Sequence, residues 1–268
     1  MLVKINIEQI CRIVQGRRID ALNVDPRIRG VSIDTRTIKK GDLYVAIVGH
    51  RHDGHAFIKK AVSHGAVAVI QQTPCRERII VPQIEVKDTT IALGLLAKYI
   101  RSKFQGTVVA VTGSVGKTTT KEYIAAVLNK KAPTLKNIHS FNNHIGVPLT
   151  LFNLKQKHQF CVLEVGTNQK GDIAYLGNII KPQVGVFTNI GDSHLEKLKN
   201  RVGVWKEKSS LVKYLSEKGW IIYNREDAYL VNFDRKSFKD KFHVKSFGRG
   251  PLSDFRISDV QIKPTQTS

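Results

Sequence analysis

The sequence predicts an α/β protein with two domains, a small N-terminal α/β domain over residues 1–88 and a doubly wound, mostly parallel central domain over residues 89–268. Two observations favour this fold class. Strand-like and helix-like segments alternate along the chain. The apolar run Thr107–Val111 is typical of a strand buried on both faces of a parallel sheet, and a glycine-containing loop and a helix follow it. We expect the central domain to be incomplete, because the chain stops soon after a strand-like segment over residues 255–262.

The individual elements follow from hydrophobic periodicity. The helices expected from helical spacing of apolar residues cover residues 5–14, 56–64, 89–104, 117–129 and 201–216. The strands expected from short runs of β-branched and apolar residues cover residues 31–34, 43–48, 66–70, 107–111, 160–165, 184–188 and 220–223. Gly65 ends the second helix, as glycine commonly does. Gly94 lies inside the helix that opens the central domain, where a glycine lowers helical propensity.

Composition argues against several classes of protein. The chain has 268 residues, with 43 Lys and Arg against 22 Asp and Glu, so its formal charge is +21. The basic residues are scattered among acidic ones, which favours small anionic substrates over nucleic acid. No apolar run approaches the roughly 18 residues that a membrane-spanning helix needs, and we see no secretory signal. Three distant cysteines, Cys11, Cys75 and Cys161, favour reduced thiols in the cytoplasm over a disulfide framework or a structural zinc site.

The strongest candidate for chemistry is a phosphate-binding loop between a predicted buried strand and a helix. Glycines let such a loop fold its backbone N–H groups around phosphate oxygens, and the helix dipole adds to the attraction. Lys117 would reach the terminal phosphates, and the Thr118 hydroxyl would help to hold Mg²⁺. The general pattern has its first glycine where this chain has Val111. The candidate ATP-binding residues are Gly113, Ser114, Val115, Gly116, Lys117, Thr118 and Thr119.

This loop resembles the ATP-binding loop of the Mur ligase family, which uses a shortened form of the motif. Four further segments resemble one branch of that family, the ligases that join D-alanyl-D-alanine to UDP-N-acetylmuramoyl-tripeptide. These segments cover residues 31–36, 140–150, 163–168 and 188–196. The resemblance as a whole runs from about Gly30 to Asp227. The Asn142-Asn143 element distinguishes this branch from the related MurE.

The resemblance implies an ATP-dependent amide-bond ligase of peptidoglycan precursor synthesis. ATP would convert a substrate carboxylate to an acyl phosphate, which the amine of the dipeptide would attack. ATP and Mg²⁺ are the implied cofactors, with Mn²⁺ as an alternative, and we expect a monomer. Family members carry a third domain for the amine substrate, which we expect to be absent here. Two alternatives stay open: a catalytically silent nucleotide-binding fragment or half of a split protein, and another Mur-type ligase such as MurE.

Candidates for metal binding and catalysis follow the predicted strands of the central domain. Glu164 ends a buried-type strand, and the ends of such strands are where ligands gather in a doubly wound sheet. A carboxylate at this position suits Mg²⁺. The alternative is that Glu164 is a solvated or capping residue. The resemblance implies that His194 also binds metal, although a lone His is more often a packed residue. It further implies a carbamylated lysine in an Ala-Lys-x-x-Leu element, for which we prefer Lys208 to Lys206, with Glu207 in place of the Ala. The implied metal ligands are Thr118, Glu164, His194 and carbamylated Lys208, and the implied catalytic residues are Lys117, His194 and Lys208.

Substrate contacts are expected in two places. Asp34-Thr35-Arg36 follows a predicted strand, and an arginine can pair bidentately with phosphate. A strand-end turn with a surface arginine is the plainer interpretation of the same three residues. The resemblance favours contacts of Asp34, Thr35 and Arg36 with the UDP-sugar, and it implies that Asn142 and Asn143 contact substrate as well.

Overall fold

The structure is a computed structural model that describes residues 2–49, 52–75, 78–138 and 141–258. Within these ranges the chain forms two sheets with helices packed against them, which confirms the predicted α/β class. No helix in the described ranges is long and apolar enough to cross a membrane. Of the strand expected over residues 255–262, Phe255–Arg256 is observed, and the part beyond residue 258 lies outside the described residues.

The first sheet has five strands among the described residues and lies in the N-terminal part of the chain. They are β1 (Arg17–Arg18), β2 (Gly30–Ser32), β3 (Asp42–Val45), β4 (Ala66–Gln71) and β5 (Gln83–Glu85). Their spatial order is β1-β5-β4-β3-β2, and all neighbours are parallel except β1 and β5. The helices of this part are α1 (Ile7–Val14) and α2 (Ile58–Ser63), with a 3₁₀ turn at Gly54–Phe57 before α2. Because β2 and β3 are parallel, the segments that follow them meet at one edge of the sheet.

In the part of the chain that the structure describes, the second sheet has seven strands, all parallel to their neighbours, in the order β12-β11-β10-β9-β6-β8-β7. The strands are β6 (Thr107–Thr112), β7 (Thr134–Lys136), β8 (Phe160–Glu164), β9 (Val184–Phe187), β10 (Trp220–Asn224), β11 (His243–Gly248) and β12 (Phe255–Arg256). The helices are α4 (Lys117–Lys131), α5 (Gly146–Leu151), α6 (Asp172–Ile180), α7 (Leu195–Leu198), α8 (Arg201–Ser209) and α9 (Lys236–Lys239). Short 3₁₀ segments cover Ser210–Tyr214 and Leu230–Asp234.

Helix α3 (Thr89–Ser102) connects the two sheets and packs against α1, α5 and α6. Asp88 caps its N-terminus by accepting hydrogen bonds from the backbone N–H groups of Thr90 and Ile91. A Cβ atom at Gly94 would collide with the Tyr175 hydroxyl on α6. The glycine that lowers the helical propensity of α3 therefore allows α3 and α6 to approach closely.

Most predicted elements are confirmed, and the differences have local causes. The helix expected over residues 201–216 ends at Ser209 and continues as the 3₁₀ segment Ser210–Tyr214. The sequence patterns did not reveal β1, β5, β7, α5, α7 and α9, which have two to six residues and are too short to display a period. They also missed α6, which buries residues around most of its circumference and so lacks a polar face, and the weakly apolar strand β11.

Three central strands of the second sheet bring distant segments to one edge. Val111 at the end of β6 lies beside Glu164 at the end of β8, and Thr112 lies beside Phe187 at the end of β9. The loop after β6, the carboxylate of Glu164 and the segment after β9 therefore meet. This edge is where ligands bind in open parallel sheets.

Candidate active site

The loop between β6 and α4 depends on glycine at two positions for different reasons. A Cβ atom at Gly113 would collide with Thr188 Oγ1 in the segment after β9. Gly116 has open space around its Cβ position, but its φ of 78° lies in the left-handed region that favours glycine. Gly116 also immediately precedes the first residue of α4. One glycine thus permits close packing, and the other permits the turn into the helix.

The first half of the loop is fastened to the segment after β9. Asn189 Oδ1 accepts hydrogen bonds from the backbone N–H groups of Ser114 (3.1 Å) and Val115 (2.9 Å). Thr188 Oγ1 donates to the Val115 carbonyl at 2.7 Å. Two of the N–H groups expected to surround phosphate are therefore already bonded within the protein. The first turn of α4, whose N–H groups precede the helical hydrogen-bond pattern, provides the remaining donors for an anion.

Replacing Gly113 with alanine should weaken nucleotide binding, because the new Cβ would push Thr188 away from the loop. Overpacking of this kind costs about 1–3 kcal/mol, which corresponds to a loss of affinity of roughly 5- to 140-fold if it falls on the loop. Titration calorimetry with ADP measures the loss. Gly191→Ala is the matched control, because a Cβ there would lie 3.5 Å from Ser114 Cβ, an ordinary contact. Equal affinity of the two variants would contradict this role of Gly113.

Lys117 places a cation over the loop. Its Nζ donates to the carbonyl oxygens of Gly113 and Ser114, each at 3.0 Å. Burial lowers the pKa of Lys117, and the nearby Glu164 carboxylate opposes that effect. The ammonium group thus lies at the start of α4, within reach of an anion bound by the first turn of the helix.

Glu164 is a buried carboxylate held from several directions. Its Oε2 accepts a hydrogen bond from Thr118 Oγ1 at 2.6 Å, and its Oε1 accepts one from Asn142 Nδ2 at 2.7 Å. Its backbone N–H donates to Asn137 Oδ1, and its carbonyl accepts from Asn137 Nδ2. Fully buried Lys121 of α4 donates to the Asn137 carbonyl at 2.8 Å. The sequence-based alternative of a solvated Glu164 is therefore wrong, since its side chain is inside the protein.

The donor set at Glu164 fits Mg²⁺ bound together with a phosphate group. Glu164 and Thr118 supply a carboxylate and a hydroxyl oxygen in direct contact with each other. Within the described ranges, no group of three or more His, Cys, Asp or Glu side chains could hold a metal ion. An ion at this point would need further oxygen ligands from phosphate and water, which is how Mg²⁺ is usually bound beside nucleotides.

A small pocket of about 110 Å³ lies beside Lys117. The lining side chains that carry charge or hydrogen-bonding groups include Lys117, Asn142, Asn143, His144, Asp172 and His194. His194 has a positive φ of 55°, a sparsely populated conformation for a residue other than glycine. Its pKa is lowered by burial and by the positive charges of Lys208 and Lys117. The structure thus brings four of the sequence-predicted residues, Lys117, Asn142, Asn143 and His194, to one pocket.

Lys208 and Lys206 differ sharply in environment. Lys208 is 1% exposed, and its ammonium group has no hydrogen-bond or ion-pair partner among the described residues, whereas Lys206 is exposed. Burial, with a smaller contribution from the charge of Lys117, lowers the pKa of Lys208 to about 8, and Glu207 opposes this effect. Lys208 is therefore the lysine of α8 whose neutral form is accessible near neutral pH.

Glu207 has a structural role that accounts for its presence beside Lys208. It is buried, and its carboxylate accepts hydrogen bonds from the backbone N–H groups of Gly171 (2.9 Å) and Ile173 (2.8 Å) at the start of α6. A carboxylate is favourable at a helix N-terminus. Glu207 thus links α8 to the start of α6.

The residues expected to contact the UDP-sugar lie at a second pocket. Arg36 donates through Nε and Nη2 to the Asp34 carboxylate, which lowers the pKa of Asp34 to about 2. Thr35 is buried, and its carbonyl lies 2.7 Å from His64 Nδ1. The pocket has a volume of about 490 Å³ and includes Ile145 of the central part in its lining. Arg36 is exposed. The observed conformation is therefore the one expected from the plainer of the two sequence-based interpretations, a strand-end turn with a surface arginine.

Asn142 and Asn143 use their side chains differently. Asn142 binds Glu164, while Asn143 Oδ1 accepts hydrogen bonds from the backbone N–H groups of Ile145 (3.1 Å) and Gly146 (2.9 Å). Asn143 therefore shapes the turn that begins α5. Because Asn142 and Asn143 line the small pocket and Ile145 lines the larger one, this turn lies between the two pockets.

Comparison with known proteins agrees with this geometry. The family model described as the Mur ligase middle domain matches residues 111–268, more than half of the chain. The chain belongs to the Mur ligase family. A second model, the Mur ligase family catalytic domain, matches residues 27–101.

Curated relatives place this Mur ligase chain in the MurF branch. It is 40% identical to the UDP-N-acetylmuramoyl-tripeptide–D-alanyl-D-alanine ligase of Buchnera aphidicola subsp. Baizongia pistaciae, with 80% of the chain and 46% of the relative covered. It is 38% identical to the Haemophilus influenzae ligase of the same name, with 85% and 50% covered. The chain therefore spans about half the length of the curated relatives it matches.

Solved structures agree with this assignment. MurF from Acinetobacter baumannii matches with a TM-score of 0.84 and 34% identity, over 93% of this chain and 54% of that one. MurF from Thermotoga maritima in complex with ADP matches with a TM-score of 0.73 and 32% identity, over 82% of this chain and 50% of that one.

Several residues that support the site of this Mur ligase were not found from the sequence. Asn189 and Thr188 lie in a segment that carried the family resemblance, but nothing in the pattern indicated that they hold the loop. Asn137 had no signal at all, because its role depends on contacts with Glu164 and Lys121.

Proposed function

We propose that the chain carries the nucleotide and UDP-substrate sites of an ATP-dependent amide-bond ligase of the MurF type. The reaction would join D-alanyl-D-alanine to UDP-N-acetylmuramoyl-tripeptide through an acyl phosphate, in peptidoglycan precursor synthesis. The observation that carries the proposal is the loop at the start of α4, where Lys117 lies next to the Glu164–Thr118 contact. Relatives with this reaction in their name match most of the chain.

The nucleotide phosphates would bind at the first turn of α4. Lys117 would leave its two carbonyl partners and neutralise charge on the transferring phosphoryl group. Thr118 and Glu164 would hold Mg²⁺, which shields the phosphate charge and orients the phosphate oxygens. His194 lines the same pocket and is the further candidate ligand for this metal or for Mn²⁺.

The UDP-linked substrate would extend from the larger pocket to the small one. Arg36 is exposed at the larger pocket and keeps donor groups for a diphosphate beyond those used by Asp34. The turn at Asn142, Asn143 and Ile145 lies between the pockets, where the peptide part of the substrate would pass. The reacting carboxylate would then lie beside Lys117 and the phosphoryl group.

Lys208 is the candidate for carbamylation. A carbamate would convert the buried ammonium to an anionic oxygen donor, which suits a second hard cation. The low exposure of Lys208 and its lowered pKa support this choice over Lys206. We also propose a monomer of two domains, with a boundary near residue 88, that acts in the cytoplasm.

Hydroxylamine trapping tests the proposal. The chain is mixed with ATP, Mg²⁺, UDP-N-acetylmuramoyl-tripeptide and hydroxylamine, and we expect a hydroxamate of the tripeptide together with an equal amount of ADP. A catalytically silent nucleotide-binding fragment would bind ADP but form no hydroxamate. Preference for UDP-N-acetylmuramoyl-L-alanyl-D-glutamate over the tripeptide would indicate the MurE alternative. Either outcome would replace the proposed function.

A further inference from the structure

His144 and Asp172 form a pair on the small pocket that none of the roles above requires. His144 Nε2 lies 3.2 Å from Asp172 Oδ1. The carboxylate is buried, and its other oxygen accepts the backbone N–H groups of Asn168 (2.7 Å) and Gln169 (3.0 Å). On α6 the Tyr175 ring lies 5.0 Å from the His144 ring, at an interplanar angle of 31°. The imidazole is therefore positioned by a fixed carboxylate and an aromatic ring.

The position of Asp172 determines which nitrogen of His144 carries a proton in the neutral ring. A carboxylate oxygen at 3.2 Å favours N–H over a lone pair on Nε2. The lone pair of the neutral imidazole is then on Nδ1, which has no partner among the described residues. A carboxylate that orients a histidine in this way is the arrangement by which proteins prepare a general base.

The charges around the pocket explain why it would need such a group. Lys117 lines the same pocket, and Asp172 is the single acidic side chain in its described lining. The Lys117 ammonium group would repel an incoming ammonium group unless the incoming group lost its proton.

Building on the proposed function, we propose that His144 is the proton acceptor for the amine substrate. One proton passes from the ammonium group of the dipeptide to His144 Nδ1 and frees the nitrogen lone pair. That lone pair forms the C–N bond with the acyl phosphate carbonyl. The C–O bond to phosphate then breaks, and its electron pair leaves with the phosphate. The second proton of the nitrogen departs with phosphate or water, which leaves the neutral amide.

The test measures how His144→Gln changes the rates of reaction with two nucleophiles, hydroxylamine and D-alanyl-D-alanine. Hydroxylamine is largely uncharged at pH 7 and needs no base, whereas the amine of D-alanyl-D-alanine, with a pKa of about 8, is mostly protonated. The variant should keep hydroxamate formation within about twofold but lose roughly 100-fold in amide formation, on the scale of general base catalysis. Raising the pH from 7 to 9 should increase the rate of amide formation by the variant about tenfold, because the fraction of free amine increases by that factor.

His243→Gln is the control, since His243 is exposed at the amino end of β11, the opposite edge of the sheet, and stacks on Trp220. It should leave both reactions unchanged. Equal losses in hydroxamate and amide formation by the His144 variant would overturn the proposal, as would a loss that pH 9 does not reduce. Because the chain spans about half the length of its curated relatives, D-alanyl-D-alanine is supplied in large excess, so that amide formation does not depend on tight binding of the dipeptide. Absence of hydroxamate in the wild type would instead contradict the proposed function and remove the basis of this step.

Discussion

Replacing Lys117 with alanine should reduce tripeptide-dependent hydroxamate formation by roughly a thousandfold, on the scale of other electrostatic contacts to transferring groups. Lys117 Nζ contacts two loop carbonyls at the start of α4, so it is the cation positioned to meet the terminal phosphates. The variant should still fold, because the Lys117 side chain is partly exposed and does not belong to the hydrophobic core. The thermal unfolding midpoint and the hydroxamate rate measure the two effects separately.

Lys130→Ala is the matched control for Lys117. Lys130 is exposed in the last turn of the same helix, far along α4 from the loop. Its removal should leave the hydroxamate rate unchanged, although it takes away the same charge. Unchanged nucleotide affinity and turnover in Lys117→Ala would show that the loop does not bind the transferring phosphate.

Replacing Lys208 with alanine should lower the hydroxamate rate by at least roughly 100-fold, whereas Lys206→Ala should change it by less than twofold. The physical reason is that a carbamate at Lys208 would supply an anionic metal ligand, and removal of such a ligand weakens charge stabilisation at the reacting phosphate. Lys206 is an exposed lysine in the same helix and cannot substitute for it. Addition of acetate or formate should partly restore the Lys208 variant but not change the wild type.

The lowered pKa of Lys208 gives this prediction a pH dependence. Carbamates form on the neutral amine, so carbamylation should increase as the pH rises through about 8, the pKa of Lys208. At pH 7 the neutral fraction is roughly 300-fold larger than for a lysine with the ordinary pKa of 10.5. Mass spectrometry or ¹³C NMR with labelled bicarbonate measures the carbamate. Equal, mild effects of the two lysine substitutions, or no carbamate at Lys208, would contradict the assignment.

Removal of Lys117 should also alter Lys208. The charge of Lys117 contributes to the lowered pKa of Lys208, so its loss should raise that pKa and reduce carbamylation at neutral pH. Lys117 thus favours the neutral amine form of Lys208, in addition to its expected contact with phosphate.

The loop and the end of β8 were predictable because their signals are local. A strand buried on both faces, a glycine-containing turn and a helix follow one another over about 25 residues, and the ends of parallel strands share an edge. These rules led to Lys117, Thr118 and Glu164, and the structure brings all three together. Helix α6 was not predictable in the same way, because a helix buried on most sides has no polar face and therefore no period.

The sequence by itself determined the α/β class, the order of the main elements, the phosphate-binding loop and the family to which the chain is similar. The tertiary structure decided which lysine of α8 is buried, because burial of Lys208 depends on the packing of α8 against α6, α7 and the Ser210–Tyr214 segment and not on a pattern in the sequence. It also decided that Asn189 holds a loop 74 residues earlier and that Asp172 faces His144 across 28 residues. Such pairs leave no periodic trace, because hydrogen bonds and ion pairs between distant segments form only after the strands have brought their ends to one edge.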